Sequence, residues 1–212
     1  MEQATARPSR RHAAQAATGA AIVDAADRLF RQHGYVATTI GMIAREAGAA
    51  VQTVYITVGG KAAVLSAVLD RSAAGTEDRP VVEFLADRID RAGDARAVIA
   101  VLADWLAEAN ARTHAVHRVI AQAAAVDPEI ATLQTRRAQQ RLERYGRAAV
   151  TLRERGGLRP ELSDAEAAAT IWSIGSPATW EALVLQAGWS TKTHRDWMER
   201  TLRAALLTEA AG

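Results

Sequence analysis

The chain has 212 residues, is 49% hydrophobic, and sets 26 Lys and Arg against 24 Asp and Glu for a net charge of +2. It is long enough to bury one or two cores, and the absence of cysteine excludes disulfides, thiolate metal sites and thiol nucleophiles. No apolar run is long enough to span a bilayer, and the basic start (Arg7, Arg10, Arg11) is not followed by an apolar leader segment. A cytoplasmic protein without a membrane partner is therefore expected.

In chain order, residues 1–17 read as a flexible basic arm. A first helix carries Ile22, Ala25, Ala26, Leu29 and Phe30 on one face and stops at Gly34. Thr38 can cap a second helix with Ile40, Ile43, Ala44 and Ala47 inside, and Gly48 ends it. A short third helix turns Val54 inward, and Gly59-Gly60 breaks it. A fourth begins near Lys61 with Val64, Leu65, Val68 and Leu69 inside. The polar stretch 75–80 (GTEDRP) reads as a domain boundary. Further helices are predicted at about 81–91, 95–110, 113–126, 128–155, 163–187 and 191–208, with Pro177 kinking the fifth of these. Alanine is abundant and strand-type alternation is missing, so the predicted class is all-α. An N-terminal domain over 18–75 precedes a second domain over 76–212, which holds all five tryptophans.

Residues 39–47 and 50–56, joined at a glycine, have the spacing of a helix-turn-helix. In that geometry the second helix enters the major groove of DNA. Its outward residues include Val51, Gln52, Thr53 and Tyr55. Gln52 can pair with adenine through two hydrogen bonds, and Val51 can pack on a thymine methyl. Thr53 and Tyr55 offer hydroxyls for phosphate oxygens, as Thr38 and Thr39 do at a helix start. Thr57 joins this candidate set. Lys61 is one of only two lysines in the chain and sits in the first turn of a helix, where a cation opposes the helix dipole. A phosphate contact would account for that placement. Residues 7–61 hold seven basic residues against three acidic ones, so the arm residues Arg10 and Arg11 are also expected at DNA. A phosphate-binding loop of nucleotide hydrolases is excluded, because Ala62 follows Lys61 and Tyr55 stands where the first glycine would be.

Residues 34–70, GYVATTIGMIAREAGAAVQTVYITVGGKAAVLSAVLD, resemble the TetR family of one-component transcriptional regulators. The shared pattern is a Gly-aromatic pair, a Thr-Thr start, Ile-Ala, Ala-Gly, a Thr-apolar-Tyr triplet, and a Lys followed by Leu. DPEI, GGLRPELS, SPATW and AGWS extend the likeness more loosely toward the C-terminus. The resemblance implies a recognition helix at 50–56, with Val51 and Gln52 facing bases and Thr39, Thr53, Tyr55 and Lys61 on phosphates. It also implies a dimer, a double-stranded operator and a small-molecule effector that moves the DNA-binding heads apart. The chain departs from the family pattern at Val58, Gly60 and Gly41, so the operator sequence cannot be inferred from relatives.

In the second domain, Trp105, Asn110, His114, Trp172 and Trp180 are candidates to line an effector pocket, whose mixed character suggests a mostly apolar ligand. The last helix carries Trp197, Met198, Thr201, Leu202, Ala205 and Leu206 along one stripe. The preceding helix adds Ala165, Ala168, Ala169 and Trp172. These form the candidate dimer interface, with Ala168, Trp197, Leu202 and Leu206 at its centre. His114 and His117 lie three apart and could hold a metal only with a third ligand such as Glu108 or Asp127, so no metal and no cofactor is expected. Gly175-Ser176-Pro177 lacks the glycine pattern of a nucleophile elbow, and no catalytic residue is assigned. The reading is a homodimeric repressor released by a ligand. Its alternative is a helical ligand-binding or enzyme-like protein whose first domain does not bind DNA.

Overall fold

The computed structural model describes residues 10–74 and 81–208, in which the regular structure is helical apart from one isolated bridge between Leu158 and Leu207. The helices are α1 (Arg10–Ala37), α2 (Ile40–Glu46), α3 (Val51–Thr57), α4 (Lys61–Ala74), α5 (Val81–Arg91), α6 (Ala95–Ala124), α7 (Pro128–Glu154), α8 (Asp164–Ile174), α9 (Pro177–Trp180, continued by a π-helical turn over Glu181–Gln186) and α10 (Thr191–Leu206). Two compact units result. The first comprises Met1–Arg71 with Arg118–Leu133, the second Ser72–His117 with Gln134–Gly212. The first unit thus takes in a later segment that a split at residue 75 does not anticipate. The expected boundary at 75–80 lies outside the described residues.

In the first unit, Ile22, Ala25, Ala26 and Phe30 of α1 are buried with Ile43 and Ala44 of α2, Val54 of α3 and Val64, Leu65 and Val68 of α4. Each large aliphatic side chain so buried contributes about 1.5–3 kcal/mol. Gly34 interrupts α1 with φ 75° and ψ 175°, a conformation that any side chain would strain. The basic arm expected through residue 17 is helical from Arg10 on; the alanine-rich run 13–17 favours that outcome.

The second unit packs Val98, Ile99, Leu102 and Leu106 of α6 against Tyr145, Ala149 and Leu152 of α7, Ala167, Ala168 and Ile171 of α8, and Met198, Leu202 and Leu206 of α10. Two predicted boundaries are corrected here. α6 runs unbroken where a break was expected near 111, because its polar residues are satisfied without leaving the helix. Thr113 donates its hydroxyl hydrogen to the Ala109 carbonyl (2.7 Å), and Asn110 donates to the Gly175 carbonyl (3.1 Å). The helix expected over 163–187 breaks rather than kinks. Ser176 turns extended (φ −72°, ψ 152°) and caps a new helix with Pro177 at its first position. The Ser173 carbonyl left behind accepts from the Thr179 hydroxyl at 2.8 Å.

Candidate functional site

The two helices after α1 have the arrangement that a groove-reading motif needs. Thr39, extended at φ −114° and ψ 156°, caps α2 by accepting from the Met42 N–H at 3.2 Å. Gly48 makes the turn with φ 63°. α3 then starts at Val51 with no side chain capping its first N–H groups, and Val54, fully buried, fixes its rotation. That rotation leaves Val51 (47% exposed), Gln52, Tyr55 (51%) and Ile56 (71%) on the outer face. These are positions i, i+1, i+4 and i+5, one stripe of a helix. Thr53 and Thr57 are half-buried at its edge, and the Thr57 methyl lies 3.4 Å from where a Cβ on Gly19 of α1 would stand.

Two expected contacts change character. Thr38 is fully buried, and its hydroxyl donates to the Gly34 carbonyl at 2.8 Å, so its side chain cannot meet a phosphate. The capping expected of Thr38 belongs to Thr39. Sequence spacing offers both threonines, but the chain bends at Gly34 and turns the first one inward. Lys61 donates from Nζ to the Tyr35 carbonyl (2.9 Å) and the Thr38 carbonyl (3.0 Å), and stands 4.1 Å over the Tyr35 ring. Two of its three N–H bonds therefore secure the end of α1 and the entry to α2, where carbonyls lack helical partners. Burial holds the Lys61 ammonium below its usual pKa, against the opposing pull of Asp127.

Tyr35 is the second half of this anchor. Its ring stacks on Phe30 with 5.8 Å between centroids, and its hydroxyl donates to Asp127 Oδ2 at 2.8 Å. Burial first, and then that hydrogen bond, push the phenol well above its ordinary pKa. Asp127 is lowered chiefly by the same bond. Asp127 is thus engaged by Tyr35, and no group of three metal-ligating side chains converges among the described residues. Arg28 pairs with Glu46 (3.1 Å) and Arg31 with Asp27 (2.6 Å), which removes both from the free basic surface. The side chains of Arg10 and Arg11 lie outside the described residues. Sequence reasoning missed Ile56 and Val36, exposed at 71% and 73%; Ile56 comes four positions after Gln52, so helical spacing could have placed it on the same stripe.

Of the residues expected to line an effector pocket, Trp180 is 2% exposed and meets His194 edge-to-face at 4.9 Å. Asn110 is buried and bound to Gly175, and His114 Nδ1 lies 3.0 Å from the Ala111 carbonyl. Trp105 packs on the core, and Trp172 stands 39% exposed on α8. Among the described residues, no hydrogen bond or ring contact joins these five to one another. Ser176 caps α9, accepting from the Thr179 N–H at 3.1 Å. The dimer candidates Ala168, Leu202 and Leu206 are corrected outright. They are 3%, 0% and 0% exposed in the core of their own unit, and Trp197 packs against that core. Their apolar stripe is the inner face of α10.

Residues 22–68 match the family model described as bacterial regulatory proteins, tetR family. No curated protein matches the chain. Among solved structures, the chain is similar to NalD of Pseudomonas aeruginosa, the secondary repressor of the MexAB-OprM multidrug efflux pump. That match has 18% identity and a TM-score of 0.70, over 92% of this chain and 99% of that one. It is also similar to SmeT, the repressor of the Stenotrophomonas maltophilia multidrug efflux pump SmeDEF, at 22% identity and a TM-score of 0.65, over 91% of each chain. A SmeT–triclosan complex matches at 23% identity and a TM-score of 0.64, over 92% of this chain and 93% of that one.

Proposed function

We propose that this chain, whose residues 22–68 match the tetR family model, is a repressor of that family that binds a palindromic operator as a homodimer and is released by a small molecule. The observation that carries the reading is the outer face of α3. Val51, Gln52, Tyr55 and Ile56 stand out from the fold without a charge among them, on a seven-residue helix held by Val54 and preceded by a capped α2. Small and neutral-polar side chains on such a face suit approach to base edges. Within this proposal Gln52 reads a base, and Val51 and Ile56 pack on groove methyls. Thr39, Thr53 and Tyr55 meet phosphates, Thr57 borders them, and Lys61 offers only its third N–H. Arg10 and Arg11 add charge at the start of α1. One such motif makes few base contacts, so two copies spaced about 34–36 Å apart are needed for tight binding.

The test is selection of binding sites from random duplexes by the purified full chain, together with the same selection on Gln52→Ala. A palindrome should be enriched, and the variant should relax preference at one position per half-site, by about 1–3 kcal/mol. Failure to enrich any sequence, with salt-independent retention of duplex, would favour the reading in which the first unit does not bind DNA. A uniform loss across all sequences would remove Gln52 from base reading.

A further inference from the structure

α7 carries Arg137, Arg141 and Arg144 at i, i+4 and i+7, which is one face of a helix. Opposite Arg141 lies His117 of α6, with Arg141 Nη1 3.4 Å from His117 Nε2. An imidazole that accepts from a guanidinium does nothing to neutralise it. Among the described residues, neither Arg141 nor Arg144 forms an ion pair with a carboxylate. Arg141 Nε and the Gln140 amide oxygen are both buried without a hydrogen-bond partner. Tyr145, buried at 4% exposure, borders the same guanidinium.

Arg141, half-buried with its Nε out of water, and Arg144 on the same face thus form a positive surface without a carboxylate partner of their own among the described residues. The planar fork of arginine matches a carboxylate or phosphate through paired hydrogen bonds. We infer that Arg141, flanked by Arg144 and Gln140 and backed by His117, is the anion-binding point of the second unit, and that the effector of this regulator carries a carboxylate or phosphate group. The inference rests on the ligand-responsive reading above and adds one anionic group to the mostly apolar ligand expected from sequence. Electrostatics support it. Burial, with Arg144 and Arg137 acting against an opposing pull from Tyr145, presses the Arg141 guanidinium below its usual pKa, and burial with Arg141 presses His117 down to about 4, as happens where positive charge is crowded.

The test uses the full chain and four probes: octanoate, octyl phosphate, inorganic phosphate and 1-octanol. Calorimetric titration at low salt should give saturable binding of at least one of the anions and none of 1-octanol. A preference between octanoate and the two phosphates distinguishes the carboxylate source from the phosphate source. Arg141→Leu should weaken anion binding at least tenfold while leaving the thermal midpoint of the free protein unchanged or higher, since it removes a buried charge. Arg147→Leu, exposed on the same helix, should leave binding unchanged. Should Arg141→Leu fail to fold, Arg144→Gln replaces it, with weakened anion binding again expected. Equal binding of 1-octanol and octanoate, no saturable binding of any of the three anions, or undiminished anion binding by the folded variant would overturn the inference. Operator release separates the two readings. An anion that binds at Arg141 without releasing DNA sinks the ligand-responsive reading and leaves the site standing, whereas release by an uncharged compound does the reverse.

Discussion

Lys61 shows how far a single residue can be read without its surroundings. Its position in the first turn of a helix looks unfavourable, and sequence alone gives it an external anion. The fold instead brings back the end of α1, so that the ammonium meets the Tyr35 and Thr38 carbonyls. The bend that brings those carbonyls there is made at Gly34, 27 positions earlier, and no local spacing reveals it. Lys61→Met should therefore cost about 1–3 kcal/mol of stability, because two carbonyls lose their donor. Urea unfolding measures this, and an unchanged midpoint would overturn the anchoring role. If the third N–H also meets a phosphate, the log–log salt slope of operator binding falls by roughly 0.9 in the same variant. His117 gives a second residue-scale prediction. Its folded pKa of about 4 lies below the unfolded value of 6.5, so above pH 6.5 both states are neutral and nothing is lost. As pH falls from 6.5 toward 4 the unfolded chain takes the proton first, and stability should drop by up to roughly 3 kcal/mol. His117→Gln should flatten that part of the acid limb of a denaturation series; an unaltered limb would show that the imidazole is not held neutral by the fold.

At the scale of elements, basic side chains recur at helix C-termini. Besides Lys61 on α1, Arg112 donates to the Ala73 carbonyl at the end of α4. Arg155 donates to the Ile89 and Asp90 carbonyls at 2.9 and 3.1 Å and also to that of Ala92, closing α5. Arg159 donates to the Ala204 and Leu207 carbonyls, closing α10. Each satisfies groups that a helix leaves without partners. The elements themselves were largely legible, since the helical period of apolar residues marks the inner faces of α1 to α4, with Val54 and the Val64–Leu65 pair inside. What the period cannot say is which neighbour covers a stripe. Leu202 and Leu206 had the right spacing for an interface and turned out to be core. Residues 157–159 pair with 206–208, through Thr208 N–H to the Gly157 carbonyl (3.0 Å) and Arg159 N–H to the Leu206 carbonyl (2.9 Å). A Cβ on Gly157 would fall 2.1 Å from the Ala95 Cβ. Gly157→Ala should accordingly destabilise by about 1–3 kcal/mol, read as a lowered thermal midpoint with operator contacts intact in the cold. A neutral outcome would mean that α6 yields at its first turn.

For the whole molecule, the proposed dimer needs a face other than the stripe first expected. On α8, Ala165, Ala169 and Trp172 recur at i, i+4 and i+7 and all are exposed, with Trp172 at 39%. Small residues beside a half-exposed tryptophan suit close approach of a second copy across a two-fold axis. Ala169→Arg should give a folded monomer in sedimentation, with operator affinity lowered at least about tenfold by loss of the second motif. A variant that stays dimeric would move the interface elsewhere. The π-helical turn over Glu181–Gln186 bears on how such a molecule changes over generations. A π turn is one surplus residue absorbed by a helix, so removing one residue there restores regular α-helical pitch without rotating the downstream chain. The same deletion in α6 or α7 would swing every later side chain by about 100° and empty the core. Gaps in an alignment of relatives should therefore gather at 181–186, with the positions of Trp189, His194 and Met198 preserved beyond them.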